Sequence, residues 1–116
     1  MLFRSHQLDV TDGVSARVLA SYIEHTHGAP DVLVNNAGVL LDPKGASALD
    51  VRAAIVKRTL DINVVGAMTV AQALVPLMRR RGYGRVVNLS SGLGQLSGMG
   101  TGTPAYRISK IGRAHV

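Results

Sequence analysis

The sequence predicts an α/β fold, a partial doubly wound parallel sheet of three strands with flanking helices, as part of a larger three-layer arrangement. Three observations predict it. Strand and helix patterns alternate as β-α-β-α-β and then a helix start, an order that gives parallel strands joined by crossover helices. The middle strand candidate, Val32-Leu33-Val34, is an unbroken apolar run, as in a strand covered on both faces. Each strand candidate also ends by switching to polar residues or glycine, and in open parallel sheets ligands bind beyond the carboxyl ends of the strands.

The first element is FRSHQLDV, a short strand ending in Leu8-Asp9-Val10. Thr11 or Asp12 can then cap a helix whose apolar residues Val14, Val18, Leu19, Tyr22 and Ile23 share one face, and Gly28-Ala29-Pro30 closes it. DVLVNNAG follows as a buried parallel strand that gives way to Asn35-Asn36-Ala37-Gly38. After a loop with Pro43 and Gly45, Ser47 to Asp50 reads as a capping-box variant, and helical spacing runs through Val51, Ile55, Leu60, Val64, Met68 and Leu77. A helix that long is expected to bend. Pro76 lacks the N–H of an interior residue, and Asn63 is a polar residue in an apolar stretch, so either can mark the place. GRVVNLSSG supplies the third strand, LGQLSGMGTGT a glycine-rich loop, and PAYRISK a helix start with proline at its first position.

At 116 residues and 47% apolar content the chain has the size of one domain or a piece of one. No run approaches the roughly eighteen consecutive apolar residues of a membrane span, and MLFRSHQLDV lacks the apolar centre of a secretory signal. A soluble, cytoplasmic chain with no membrane partner is therefore expected. The absence of cysteine excludes disulfides and thiolate metal sites, and no metal centre is expected. A formal charge of +6 would suit a nucleic-acid partner, but its distribution argues otherwise. The densest run, Arg79-Arg80-Arg81, precedes Gly82 at a helix end, where cations favour the helix dipole and are solvated. Phe3, Tyr22, Tyr83 and Tyr106 form no stacking platform for bases, so no nucleic acid is expected.

Tyr106 and Lys110 stand four apart on one helix face. A phenol with a pKa of about 10 is a poor acid–base group near neutrality, and lowering it by about three units takes about 4 kcal/mol of phenolate stabilisation. An ammonium about 4 Å away at an effective dielectric near 20 supplies a term of that size. Ser90 and Ser91 end a strand on the ligand edge, where a hydroxyl can donate to an oxygen gaining negative charge; elsewhere a Ser-Ser pair is an ordinary turn former. Asn63 is open to two readings, a site residue or a satisfied core amide.

Taken in order, Asn35-Asn36-Ala37-Gly38, Asp61-Ile62-Asn63-Val64-Val65-Gly66, Val87-Asn88-Leu89-Ser90-Ser91 and Tyr106-Arg107-Ile108-Ser109-Lys110 closely resemble the short-chain dehydrogenase/reductase family. HQLDV near the start and VNLSSGLG look most like its carbonyl-reductase-type members. The resemblance covers about residues 3 to 110. It implies a Rossmann-type fold and NAD- or NADP-dependent hydride transfer between a carbonyl and an alcohol on a small-molecule substrate. By motif, Tyr106 would be the acid–base residue, Lys110 would hold the nicotinamide ribose and assist the tyrosine, and Ser91 would orient the substrate oxygen. Asn63 would hold the water of a proton relay. Asp9 matches the family aspartate near the adenine, and Asn36, Ala37 and Gly38 match the strand end lining the cofactor. A homodimer or homotetramer, through the long helix and the helix of Tyr106, is also implied.

The departures are as informative. Ser91 and Tyr106 lie farther apart than is usual in the family, which leaves Ser90 as an alternative catalytic serine. The family's glycine-rich TGxxxGxG turn, whose amides approach the pyrophosphate, occurs nowhere in the sequence. Residues 1–110 are accordingly expected to be the central part of an NAD(P)-binding domain, inactive alone. IGRAHV, residues 111–116, matches one reading frame of a common sequencing-adapter oligonucleotide and is expected to be a read-through tail. A different class of function, a non-catalytic fragment or interaction module using the basic helix end, is the alternative.

Overall fold

Asp12 opens the first helix as its residue type allows. Its carboxylate accepts from the Val14 amide at 2.9 Å, and α1 runs over Gly13–His27 until Gly28, at φ 83°, ends it. The computed structural model describes residues 4–95 and 102–114. Within them follow β1 (Val32–Asn35), α2 (Ala53–Leu60), a π-helical turn (Asp61–Val65), α3 (Gly66–Arg81), β2 (Arg85–Asn88), a 3-10 turn (Gly92–Gly94) and α4 (Pro104–Ala114). Gly98 and Gly100 of the glycine-rich loop lie outside the described residues. β1 and β2 pair in parallel, from Val32 with Arg85 to Asn35 with Asn88. The α/β class and the parallel sheet stand.

Among the described residues the sheet has two strands, not three. Residues 4–10 form no strand, because a strand exists through its hydrogen-bonded ladder and this segment is held by side chains instead. Leu8 and Val10 pack against the core, and Val10 lies so close over Gly66 that a Cβ there would meet its Cγ2 at 2.7 Å. The expectation that β1 is covered on both faces also fails. Leu33 points into a cluster with Ala29, Val70, Leu74, Leu77 and Met78, whereas Val32 and Val34 remain half-exposed. Val34 and its register partner Val87 share the open face, since helices pack on the other side alone. The radius of gyration, 16.0 Å, exceeds the roughly 13 Å of a compact chain of this length.

α2, the π turn and α3 stack into one helix of 29 residues, Ala53–Arg81. Of the two expected places for a break, the irregularity falls at Asn63, inside the π turn; Pro76 sits within regular α3. A π turn inserts an extra residue, which rotates everything after it by about 100°. Met68, expected inward, is exposed; it stands nine residues, about half a rotation, before Leu77 in α3, and the buried stripe is Val70, Leu74, Leu77 and Met78. By length and apolar composition this helix could cross a membrane; here its stripe builds the core. Ser47 and Asp50 do form a reciprocal pair, with the Ser47 amide donating to Asp50 Oδ1 at 2.6 Å, but they close a separate turn and the helix begins only at Ala53.

α1 also presents a different face from the one expected. Ala16, Ala20 and Ile23 turn inward, while Val14, Val18 and Tyr22 are exposed. At the far end of α3, Gly82 adopts φ 86° and closes the helix. The arginines before it are exposed, as expected of a solvated helix end, and two of them are also paired. Arg80 pairs with Glu24 at 3.0 Å, and Arg81 pairs with Asp31 at 2.8 Å while donating to the carbonyls of Ala29 and Pro30. The basic run thus stitches α3 to the end of α1.

Candidate active site

At the carboxyl end of the sheet, Asn35 Nδ2 donates to Asn88 Oδ1 at 2.7 Å across the register. The chain then leaves both strands, and the gap between them and α4 is a crevice of about 350 Å³. Asn36, Gly38, Val39 and Leu40 form one wall, Leu89 and Ser90 another, and Tyr106 and Lys110 the third. Strand ends and the start of α4 therefore meet where the topology places a ligand.

Helical spacing puts Tyr106 and Lys110 on one face of α4, with Lys110 Nζ 5.3 Å from the centre of the tyrosine ring. Lys110 is buried, and this burial pushes its ammonium below the ordinary lysine value, with the Arg113 charge adding in the same direction. Two glycines make the packing possible. A Cβ on Gly38 would lie 3.3 Å from Lys110 Nζ and 3.4 Å from Asn63 Oδ1; one on Gly94 would lie 2.9 Å from Lys110 Cβ, so the 3-10 turn can seat against α4 only as glycine.

Asn63 is completely buried and well bonded. Its Oδ1 accepts from the Val39 amide at 2.8 Å, and its Nδ2 donates to the Val39 carbonyl at 2.8 Å and to Ser109 Oγ at 3.0 Å. It thereby ties the loop after β1 to both the π turn and α4. Ser90 and Ser91 diverge. Ser90 lines the crevice and donates to the Lys110 carbonyl at 3.1 Å, whereas Ser91 Oγ accepts from the Leu93 amide at 3.2 Å and caps the 3-10 turn.

Of the remaining sequence-predicted residues, Asn36 lines the crevice and Ala37 and Asp9 do not. Asn36 and Ala37 are exposed at the end of β1. Asp9 is exposed and accepts from both the amide and the hydroxyl of Thr11, at 2.9 and 2.7 Å. The hydroxyl bond chiefly, then the amide bond, holds its carboxyl below the usual range. Asp9 is not among the residues lining the crevice.

Sequence reasoning missed two groups that shape this site. Arg113, seven residues after Tyr106 and on the same helix face, is 1% exposed and donates to the carbonyls of Asn35 and Ala37. It forms no ion pair among the described residues, its Nε has no partner, and burial pushes its guanidinium below the ordinary value. The i+7 spacing was its only sequence signal. Asp42 is buried and accepts from the amides of Ala105 and Tyr106, a contact between residues far apart in sequence for which no local pattern exists.

The donor set fits one end of a nicotinamide cofactor. A phenol and an ammonium on one helix face, opposite the strand-end glycine Gly38, suit the hydroxyls of a ribose. The glycine-rich turn that would take a pyrophosphate is not in the sequence.

Residues 2–116 match the family model described as short chain dehydrogenase. Carbonyl reductase (NADPH) 3 of Mus musculus is 38% identical over 88 residues, covering 76% of this chain and 30% of that protein. The 17-beta-hydroxysteroid dehydrogenase type 1 of Homo sapiens is 45% identical over 94 residues, covering 80% of this chain and 26% of that protein. Among solved structures, a short-chain dehydrogenase from Streptomyces avermitilis superposes with a TM-score of 0.80 at 37% identity, over 92% of this chain and 38% of that one. The chain spans about 30% of the length of the first curated relative and less of the second.

Proposed function

The chain belongs to the short-chain dehydrogenase/reductase family, as a carbonyl-reductase-like member, and from that premise we propose that the whole protein is an NAD(P)-dependent oxidoreductase interconverting a carbonyl and an alcohol. The observation that carries this reading is the crevice itself, where Ser90, Tyr106 and Lys110 converge on the carboxyl ends of two parallel strands. When bound, the nicotinamide supplies the hydride that reduces the carbonyl carbon. Tyr106 donates its hydroxyl proton to the carbonyl oxygen, giving the alcohol and a phenolate. The Lys110 ammonium, 5.3 Å from the centre of the tyrosine ring, is the positive charge that stabilises that phenolate. Lys110 also holds the ribose, and Asp9, Asn36, Ala37 and Gly38 complete the cofactor side. A serine hydroxyl donates to the same substrate oxygen. Ser91 is the motif's choice and keeps its hydroxyl proton free, since its oxygen only accepts from Leu93; Ser90 lines the crevice but would have to release the Lys110 carbonyl to donate there. Asn63 fixes the Val39 wall, and its second Oδ1 lone pair is what remains for a relay water.

The test is carbonyl-dependent oxidation of NADPH or NADH by the full-length gene product. Tyr106→Phe is expected to lower kcat by about 100-fold or more. A rate unchanged in that variant sinks the assignment of Tyr106. The 116-residue chain is expected to show no saturable NAD(P)H binding by fluorescence titration, since it lacks the phosphate-binding turn. We place self-association on the half-exposed apolar residues Val65, Met68 and Ile108 of the long helix and α4. The alternative, an interaction module using the basic helix end, is less favoured because Arg80 and Arg81 are already paired within the chain.

A further inference from the structure

α4 begins without a cap of its own. Pro104 has no N–H, so the first amides needing a partner are those of Ala105 and Tyr106. Thr103 occupies the position from which a side chain ordinarily caps them, yet its backbone is left-handed at φ 45° and its hydroxyl is buried with no partner. Asp42 does the work from a distance. Its Oδ2 accepts from the Ala105 amide at 2.7 Å and its Oδ1 from the Tyr106 amide at 2.9 Å, with the residue 8% exposed.

This contact joins two walls of the crevice. Asp42 lies just beyond Val39 and Leu40, which line one wall, and Val39 is itself fixed by Asn63. Tyr106 lines the opposite wall, and its own amide is one of the two that Asp42 holds. A carboxylate suits the place for two reasons. It accepts both bonds at once with charge assistance, and its charge complements the helix N-terminus. An asparagine in the same position retains one acceptor and no charge.

We propose that Asp42 is a positioning residue for Tyr106: its carboxylate locks the first turn of α4 to the loop after β1 and so sets where the tyrosine hydroxyl meets the substrate oxygen. The inference rests on the proposed acid–base role of Tyr106. A displacement of about 1 Å at a reacting group can cost about 100-fold in rate without a matching loss of binding. The role therefore predicts a loss in kcat with little change in KM.

The experiment uses the full-length gene product with Asp42→Ala, Asp42→Asn and, as a separate control, Tyr106→Phe. Asp42→Ala is expected to lower kcat by about tenfold or more with KM within about twofold, and Asp42→Asn to fall between it and the parent. Hydrogen exchange at the Ala105 and Tyr106 amides should be at least about tenfold faster in Asp42→Ala. The proposal is overturned if Asp42→Ala keeps kcat within about twofold, if KM rises as much as kcat falls, or if the two amides stay protected. Should Asp42→Ala not fold, Asp42→Asn carries the same test through its kcat, its KM and the same two amides. If Tyr106→Phe abolishes the rate while the Asp42 variants do not lower it, only the positioning role fails. If Tyr106→Phe remains active, the acid–base reading fails and takes the positioning role with it.

Discussion

The half of the molecule built from α1, β1 and α3 is held by apolar side chains, and the half built from α2, the π turn and α4 is held by buried polar ones. Leu33, Val70, Leu74, Leu77 and Met78 close the first against one face of the sheet. Asp42, Thr59, Asn63, Ser109, Lys110 and Arg113 are buried in the second. The difference is one of tolerance. Apolar packing is non-directional, and loss of one contact leaves its neighbours intact, whereas a buried polar network is worth its cost only while each member has its partner. The crevice lies in the half with the stricter requirement, where geometry rather than bulk cohesion decides the shape.

Two substitutions compare the halves directly, both read by urea unfolding of the chain. The largest effect is expected from Asn63→Ala, which leaves the N–H and C=O of Val39 without their partner, takes from the Ser109 hydroxyl the bond it accepts while it still donates to the Tyr106 carbonyl, and costs about 4 kcal/mol. Leu74→Ala removes a core side chain, 4% exposed, from the apolar half and is expected to cost about 3 kcal/mol. If Leu74→Ala proves the more damaging by a clear margin, water has replaced the lost partners of Asn63 and the contrast between the halves dissolves.

The same division explains what could be read in the sequence. Periodicity and terminal signals located α1, β1, α3, β2 and the start of α4, because apolar repeats, Asp12, Gly28, Gly82 and Pro104 act through neighbours in the chain. It failed where a distant partner decides. The coverage of Val32 and Val34 depends on which layers are present, and the π turn that offsets the two parts of the long helix is announced by no repeat. Tyr106 and Lys110 were legible because their relation is local, one helical turn apart. Asp42 was not, because its bonds reach the start of α4 from the loop after β1, with most of the chain between them. Nor did the pattern separate Ser90 from Ser91; a single rotation of the backbone at the strand end assigns one to the crevice and the other to a cap.

Arg113 is the weak point of the polar half. Its guanidinium is buried on two backbone carbonyls with no carboxylate and an unpartnered Nε, an arrangement that does not recover the cost of taking a charge out of water. Arg113→Met, which keeps the length and loses the charge, is expected to stabilise the chain by about 2 kcal/mol in urea unfolding at neutral pH. A clear loss of stability would instead make the two carbonyl bonds essential and the polar half uniformly well built.

The smallest effect concerns Lys110 and carries a sign. Burial first, and the Arg113 charge second, lower its pKa in the folded chain below the 10.5 of the unfolded one. Below the folded value the lysine is protonated in both states and the full penalty for its buried charge is present. As pH rises through the folded value toward 10.5, the unfolded chain binds more protons than the folded one, so stability increases with pH in that window. Lys110→Met should abolish this contribution, read as the difference between the two unfolding curves across the window, which cancels the tyrosines common to both. Arg113→Met should leave a reduced slope, since burial remains and the neighbouring charge is gone. A slope unchanged in Lys110→Met would mean that water already reaches the ammonium, and that the polar half is looser around its reactive pair than its hydrogen bonds imply.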